Sequence, residues 1–357
     1  MLANGHSQDT RRQNRKPMMS HSSLRLSLCL FAPLLVSLYG CGPEQEIAPK
    51  GDDTASGTDS DTNPDTGDSD TSPAATITSV EAKLEPAATT ISTRETVNVV
   101  VTATWSDGTM TDVTADSQIQ SSERSVLDFF AHDIGQPLLA GTVNIEVQAA
   151  DGTDLAPIPL TVTLANLQAG DLVFNELLID PATTADPNKD GKSDAVEDEF
   201  VEIANASGVT VDLGGVTFWD SGLDTPRHTF VSPTILQAGQ VIVLFGGGTV
   251  TALSAANAQF VVATNADVGL QYGIAMNNEG DVANLRAVDG TTPLASASFG
   301  TSGGPAIIDD ASLVLSPEVT GTAYTHHSYV SGSIGAQSPG THADGTGFPG
   351  PSGIYTP

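Results

Sequence analysis

The sequence predicts an all-β protein: two β-sandwiches behind an export signal and an acidic tether. Three observations predict it. Short segments of β-branched, period-two character recur from residue 76 to about residue 343, separated by turns rich in Gly, Pro and Asp. No long stripe of 3.6-residue periodicity appears, and 35 Gly with 21 Pro in 357 residues work against one. The only cysteines are Cys29 and Cys41, so the region beyond the signal holds no disulfide and must draw its stability from sheet packing and metal.

Residues 1–40 read as a signal peptide. Arg11, Arg12, Arg15, Lys16 and Arg25 precede an apolar run over 26–39 that is too short for a permanent membrane span. Met18 or Met19 would start a signal of ordinary length, with 1–17 as an extension. The run ends in Leu38-Tyr39-Gly40-Cys41, which resembles the bacterial lipobox. That resemblance implies cleavage before Cys41, a lipid on its thiol, and a membrane partner reached through the anchor. Gly42 replaces the aspartate of inner-membrane retention, so the expected location is the outer membrane.

Residues 41–75 are dominated by Asp, Thr, Ser, Gly and Pro and have almost nothing to bury, which predicts a disordered tether. A flexible coil of that length spans roughly 30 Å. The whole chain carries a formal charge of −30; from Cys41 onward, 8 basic residues face 42 acidic ones, for −34. Such a field repels phosphate backbones, so no nucleic-acid partner is expected, and divalent cations are the natural counter-ions.

Residues 76–166 hold candidate strands at 79–85, 96–105, 125–130, 141–148 and 158–164, with turns at Ser106-Asp107-Gly108 and Asp151-Gly152. This spacing predicts a β-sandwich. The stretches around Trp105-Ser106-Asp107-Gly108-Thr109 and Gly141-Thr142-Val143-Asn144 resemble bacterial Ig-like repeats, which implies a spacer. Trp105 is expected in its core.

The second module, 168–343, offers strands at 171–180, 199–205, 211–220, 235–245, 260–263, 270–275, 281–288 and 312–315, and 344–357 is a Gly/Pro-rich tail. Between its first two strands lies Asp186-Pro187-Asn188-Lys189-Asp190-Gly191-Lys192-Ser193-Asp194-Ala195-Val196-Glu197, which fits D-x-[DN]-x-[DN]-G-x5-E. That spacing supplies hard oxygens for one structural calcium ion: side chains of Asp186, Asn188 and Asp190, the Lys192 carbonyl, Asp194 through water, and Glu197 as the closing carboxylate. The loop departs from an EF-hand in being flanked by strands, with Pro187 at its second position. It is expected to stand unpaired, pinning the crossover; the alternative is a solvated acidic loop.

Asn175-Glu176 on the first strand, Glu199-Phe200-Val201-Glu202-Ile203-Ala204-Asn205 and Val211-Asp212-Leu213-Gly214-Gly215 resemble the lamin-tail domain of bacterial surface proteins, and the likeness runs on to Ser338-Pro339-Gly340-Thr341. The resemblance implies an immunoglobulin-like β-sandwich in which Glu176 and Glu202 belong to the framework. As an alternative they form a carboxylate pair for acid–base chemistry. His228, His326, His327 and His342 lack metal-ligand spacing, with His326-His327 expected at the surface or in a turn, and no G-x-S-x-G surrounds Ser221 or Ser328. No catalytic residue is therefore assigned. The sequence predicts a non-catalytic envelope lipoprotein displaying a binding module to an unknown protein or glycan, in adhesion or envelope assembly. The alternative is an accessory, targeting subunit for secreted hydrolases.

Overall fold

The computed structural model describes residues 74–222, 224–264 and 273–350. The signal peptide, Cys41, nearly all of the tether, part of the strand expected at 270–275 and the end of the tail lie outside the described residues.

The first nine strands are β1 (Ile77–Glu85), β2 (Thr90–Ser92), β3 (Val97–Trp105), β4 (Met110–Asp112), β5 (Gln118–Ser121), β6 (Leu127–Ala131), β7 (Ile134–Pro137), β8 (Gly141–Gln148) and β9 (Ile158–Thr163). One sheet runs β1-β3-β7-β6 with β4 on β3, and the other runs β2-β9-β8-β5. Alternation along β3 buries Val97, Val99, Val101 and Ala103, and the three valines meet Val143, Ile145 and Leu160 of the second sheet in one core. Trp105 is not in that core. It sits half-buried at the end of β3, its Nε1 donating to Thr111 Oγ1 at 2.9 Å, because the indole N–H needs an acceptor that the apolar interior does not offer.

The remaining strands are β10 (Leu172–Leu178), β11 (Phe200–Asn205), β12 (Val211–Asp212), β13 (Thr217–Trp219), β14 (His228–Thr229), β15 (Ile235–Leu236), β16 (Val241–Phe245), β17 (Ala258–Val262), β18 (Gly280–Arg286), β19 (Pro293–Gly300), β20 (Leu313–Ser316) and β21 (Ala323–His326). A six-stranded sheet runs β17-β16-β11-β10-β20-β21, a four-stranded one β14-β13-β18-β19, and β12 pairs β15. The single strand expected over 211–220 is two, interrupted by a turn at Gly214-Gly215, and that over 235–245 is broken by the turn at Gly239.

The six-stranded sheet is buried on both faces. Phe174, Leu177, Val201, Ile203 and Leu244 face the four-stranded sheet and meet Phe218, Leu285 and Phe299 there. On the outer face, Leu178, Phe200, Val243 and Phe245 form a second cluster, and Ala204, Val241, Val319 and Phe348 a third. Double burial is why β16 reads as a continuous apolar run instead of an alternating one. It also forces any polar side chain on the outer face to find partners within the chain.

The two modules meet through directed bonds. Thr93 Oγ1 donates to the Thr210 carbonyl at 2.9 Å and accepts from the Ala165 N–H at 3.0 Å. Thr210 Oγ1 donates to the Leu138 carbonyl at 2.5 Å, and Arg94 pairs with the buried Asp171.

Candidate functional site

The acidic crossover between β10 and β11 is built on a glycine seat. Gly246 and Gly247, just beyond β16, donate their N–H groups to the Glu199 and Glu197 carbonyls at 2.8 and 3.0 Å. A Cβ on Gly246 would lie 1.9 Å from the Val196 carbonyl oxygen, and one on Gly248 would lie 2.5 Å from Asn188 Nδ2 and 2.7 Å from Asp190 Oδ2. Only glycine allows this approach. The close contact shows what the run Gly246-Gly247-Gly248 is for.

Within the crossover, the carboxylates fold the backbone around themselves. Asp186 accepts from the N–H groups of Asp190 and Gly191, both at 3.0 Å, Asn188 Oδ1 from Asp190 N–H at 3.0 Å, and Asp190 Oδ1 from Lys192 N–H at 2.9 Å. Gly191, with φ of +91°, makes the sharp turn at the sixth position. Asp194 Oδ1 accepts from Val196 and Glu197 N–H at 2.9 and 3.0 Å, so this exposed residue works as a turn cap. Those bonds hold its carboxyl below the ordinary range.

Asp198 behaves differently, and sequence reasoning missed it. It is 1% exposed, and its carboxylate accepts from Asp194 N–H, through Oδ2 at 2.7 Å, and from Asn188 N–H. Burial raises its pKa, the bonds from Asp194 and Asn188 N–H oppose the rise, and the charges of Asp186 and Asp190 add to it. Among the described residues, no three His, Cys, Asp or Glu side chains are gathered tightly enough to make a metal cluster by themselves. The structure thus brings Asp186, Asn188 and Asp190 into one turn, and it gives Asp194 to the backbone. The donor chemistry still fits calcium, which takes about six to eight hard oxygens in flexible geometry.

Glu176 and Glu202 stand opposite each other in the β10–β11 register, on the outer face of the sheet, and both are fully buried. Every carboxylate oxygen is used. Glu176 Oε1 accepts from Ser312 Oγ at 2.6 Å and Ser338 N–H at 2.8 Å, and its Oε2 from Ser338 Oγ at 2.6 Å. Glu202 accepts from Asn175 Nδ2 at 2.8 Å and from Gly340 N–H at 2.7 Å. Burial is the main cause raising both pKa values, and the charge of Glu176 raises that of Glu202 further. The pair clamps the segment 338–340 onto the sheet.

A third group gathers at one end of the sandwich. Glu199 is pushed up to about 9 by burial and accepts from Met276 N–H at 3.2 Å. Arg227 pairs with the buried Asp220 at 2.6 Å, while burial pushes His228 down to about 4. Nothing in the sequence spacing linked these residues, because β11, β13, β14 and the 276–281 segment bring them together. His327, expected at the surface or in a turn, heads a short 3-10 turn and is fully buried, under the chain that returns from β21. His342 pairs with Glu318 at 3.1 Å.

Comparison with known proteins agrees with this architecture in one stretch. No curated protein matches the chain. Domains 5-6 of the S-layer protein SbsC align at 10% identity over 63% of this chain and 96% of that one, with a TM-score of 0.20. A DUF4876 family protein from Bacteroides thetaiotaomicron VPI-5482 aligns at 13% identity over 54% of each chain, with a TM-score of 0.22. Scores this low bear on neither fold nor function. The model of the Lamin Tail Domain family matches residues 166–301, from the start of the second module through β19, and so supports a lamin tail domain in this part of the chain.

Proposed function

We propose that the chain is a non-catalytic lipoprotein of the cell envelope, anchored through Cys41, that displays a lamin-tail module stiffened by one calcium ion in its β10–β11 crossover. The observation that carries the non-catalytic reading is the fate of Glu176 and Glu202. They are the carboxylate pair best placed for acid–base chemistry, yet both are sealed from solvent with their oxygens committed to Ser312, Ser338, Asn175 and Gly340. A general acid or base must reach its substrate within hydrogen-bond distance, and these cannot. The calcium reading is supported by the oxygen donors of Asp186, Asn188 and Asp190. Display suits two sandwiches joined at Thr93, Thr210 and Arg94, because a stiff pair of modules on a tether carries its loops away from the membrane.

The partner is a protein or glycan of the envelope or of a neighbouring surface, and the strong negative charge keeps nucleic acid out of the reading. Crosslinking in intact cells, with calcium present, tests this. Capture of envelope proteins or glycans, lost together with membrane association on Cys41→Ser, supports it. Capture of secreted hydrolases alone points to the accessory-subunit reading. Turnover of any substrate by the purified chain that Glu176→Gln abolishes contradicts the non-catalytic one.

A further inference from the structure

We infer that the segment Pro351-Ser352-Gly353-Ile354-Tyr355-Thr356-Pro357, which follows the described residues, seats Ile354 and Tyr355 in the groove between the two modules and forms a second tie across their junction. The inference goes beyond the display reading and needs neither the lipid anchor nor calcium.

The groove, of about 430 Å³, opens beside the bonds that join the modules. The first module lines it with Phe130 of β6 and with Leu138 and Leu139 just beyond β7, and the second with Val209 and Ala238. Phe130 is 65% exposed, so an apolar occupant would take a whole phenyl face out of water. No acidic side chain lines the groove, although from Cys41 onward 42 acids face 8 basic residues. Its one cation, Arg94, already has its charge met by Asp171. The walls therefore suit an uncharged segment with large apolar side chains, and Gln136 and Gln237 offer amides for its polar groups.

The chain delivers such a segment to the rim of the groove. Phe348 packs with Ala204 and Val241 on the outer face of the six-stranded sheet, and its carbonyl accepts from Asn257 Nδ2 at 2.8 Å. Gly350 lies against the same side chain, where a Cβ would stand 3.4 Å from Asn257 Nδ2. The Asn257 carbonyl in turn accepts from Val241 N–H at 3.1 Å, and Val241 opens β16 just past Ala238. The end of β11 and the starts of β16 and β17 thus lie side by side at the end of the sheet that faces the first module, each about 5 Å from the next. Four extended residues carry Ile354 roughly 13 Å from Gly350, and all seven reach about 24 Å, which is enough to cross that span and enter the groove. The segment has no charged side chain, and Ile354 and Tyr355 are its large apolar residues. A second copy of the chain would bring the same strong negative charge to the junction; the chain's own uncharged segment does not.

The test is photocrosslinking of the full chain in detergent, carrying p-benzoylphenylalanine at position 355, with the adducts mapped by mass spectrometry. The expected result is adducts within one chain to residues 130–139 of the first module and to 208–210 or 237–238 of the second. Phe130→Ser changes an exposed side chain, so the fold is not at stake, and it should cut the yield of these adducts severalfold. Met110→Ser, equally exposed but at the opposite end of β3 from the groove, should leave the yield unchanged. The same adducts formed only between two copies would assign the groove to self-association and overturn the inference. Adducts confined to other surfaces, no adduct, or a yield that F130S does not lower would overturn it as well.

Discussion

Glu176 and Glu202 combine two opposing effects at one place. Each bond to Ser312, Ser338, Asn175 or Gly340 favours the charged form, while burial and their proximity favour the protonated one, and burial wins. Both folded-state pKa values therefore lie above the ordinary 4.5. The folded state holds its protons more tightly than the unfolded chain, so this stability is full below the unfolded pKa and is lost as pH rises through the folded values. His228 works the other way: held down to about 4, it costs stability as pH falls below its ordinary 6.5. Above pH 6.5 Glu176, Glu202 and Glu199, the last raised to about 9, act together, and the unfolding midpoint should fall steadily toward pH 9. Glu202→Gln should flatten that fall, read from thermal melts at half-unit steps. Glu176→Ala strands the donors of Ser312 and Ser338 and should cost about 3 kcal/mol by urea denaturation at pH 6.

At the scale of the element, the glycine seat and the strands it faces show what could be read in advance. β8 was legible to the residue, and β1, β3, β10 and β11 to within about two, because each carries a β-branched or apolar pattern bounded by turn residues. β19 was not. Pro293-Leu294-Ala295-Ser296-Ala297-Ser298-Phe299-Gly300 has alternation but small, weak strand formers, and it is held by its register with β18. β2, β7 and β21 were missed for a related reason: at three or four residues, they are too short for a period to show. Asp198 was invisible because a motif counts positions, whereas its burial comes from the turn in which it exchanges bonds with Asp194. The role of Gly246 was equally hidden, since its partner, Val196, lies 50 residues away in sequence. Gly246→Ala should destabilise the module by roughly 1–3 kcal/mol, because the crossover must shift to admit the methyl group. A loss of that size in chemical denaturation checks the seat, and a neutral substitution would show that the crossover yields freely.

At the scale of the whole molecule, the described residues hold separate apolar cores joined by a small polar contact at Thr93, Arg94, Thr210 and Asp171. Asp171 is buried and also accepts from Gln168 N–H at 2.6 Å, so removing Arg94 leaves a charge with one fewer partner. Arg94→Ala together with Thr93→Ala should uncouple the modules, turning one calorimetric transition into two. The second module should then respond to calcium and the first should not, because only the second contains the acidic crossover.

That difference leads to the most direct measurement: thermal unfolding of the full chain in detergent, in calcium and in chelator, with Asp186→Asn as control. At free calcium one hundredfold above its dissociation constant, binding adds about 2.7 kcal/mol to the module that holds the loop. The midpoint should rise by several degrees, at roughly 2–4 °C per kcal/mol, and D186N should abolish the rise. Identical midpoints in calcium and chelator would contradict the account, leaving the crossover as an acidic loop held by its glycine seat alone.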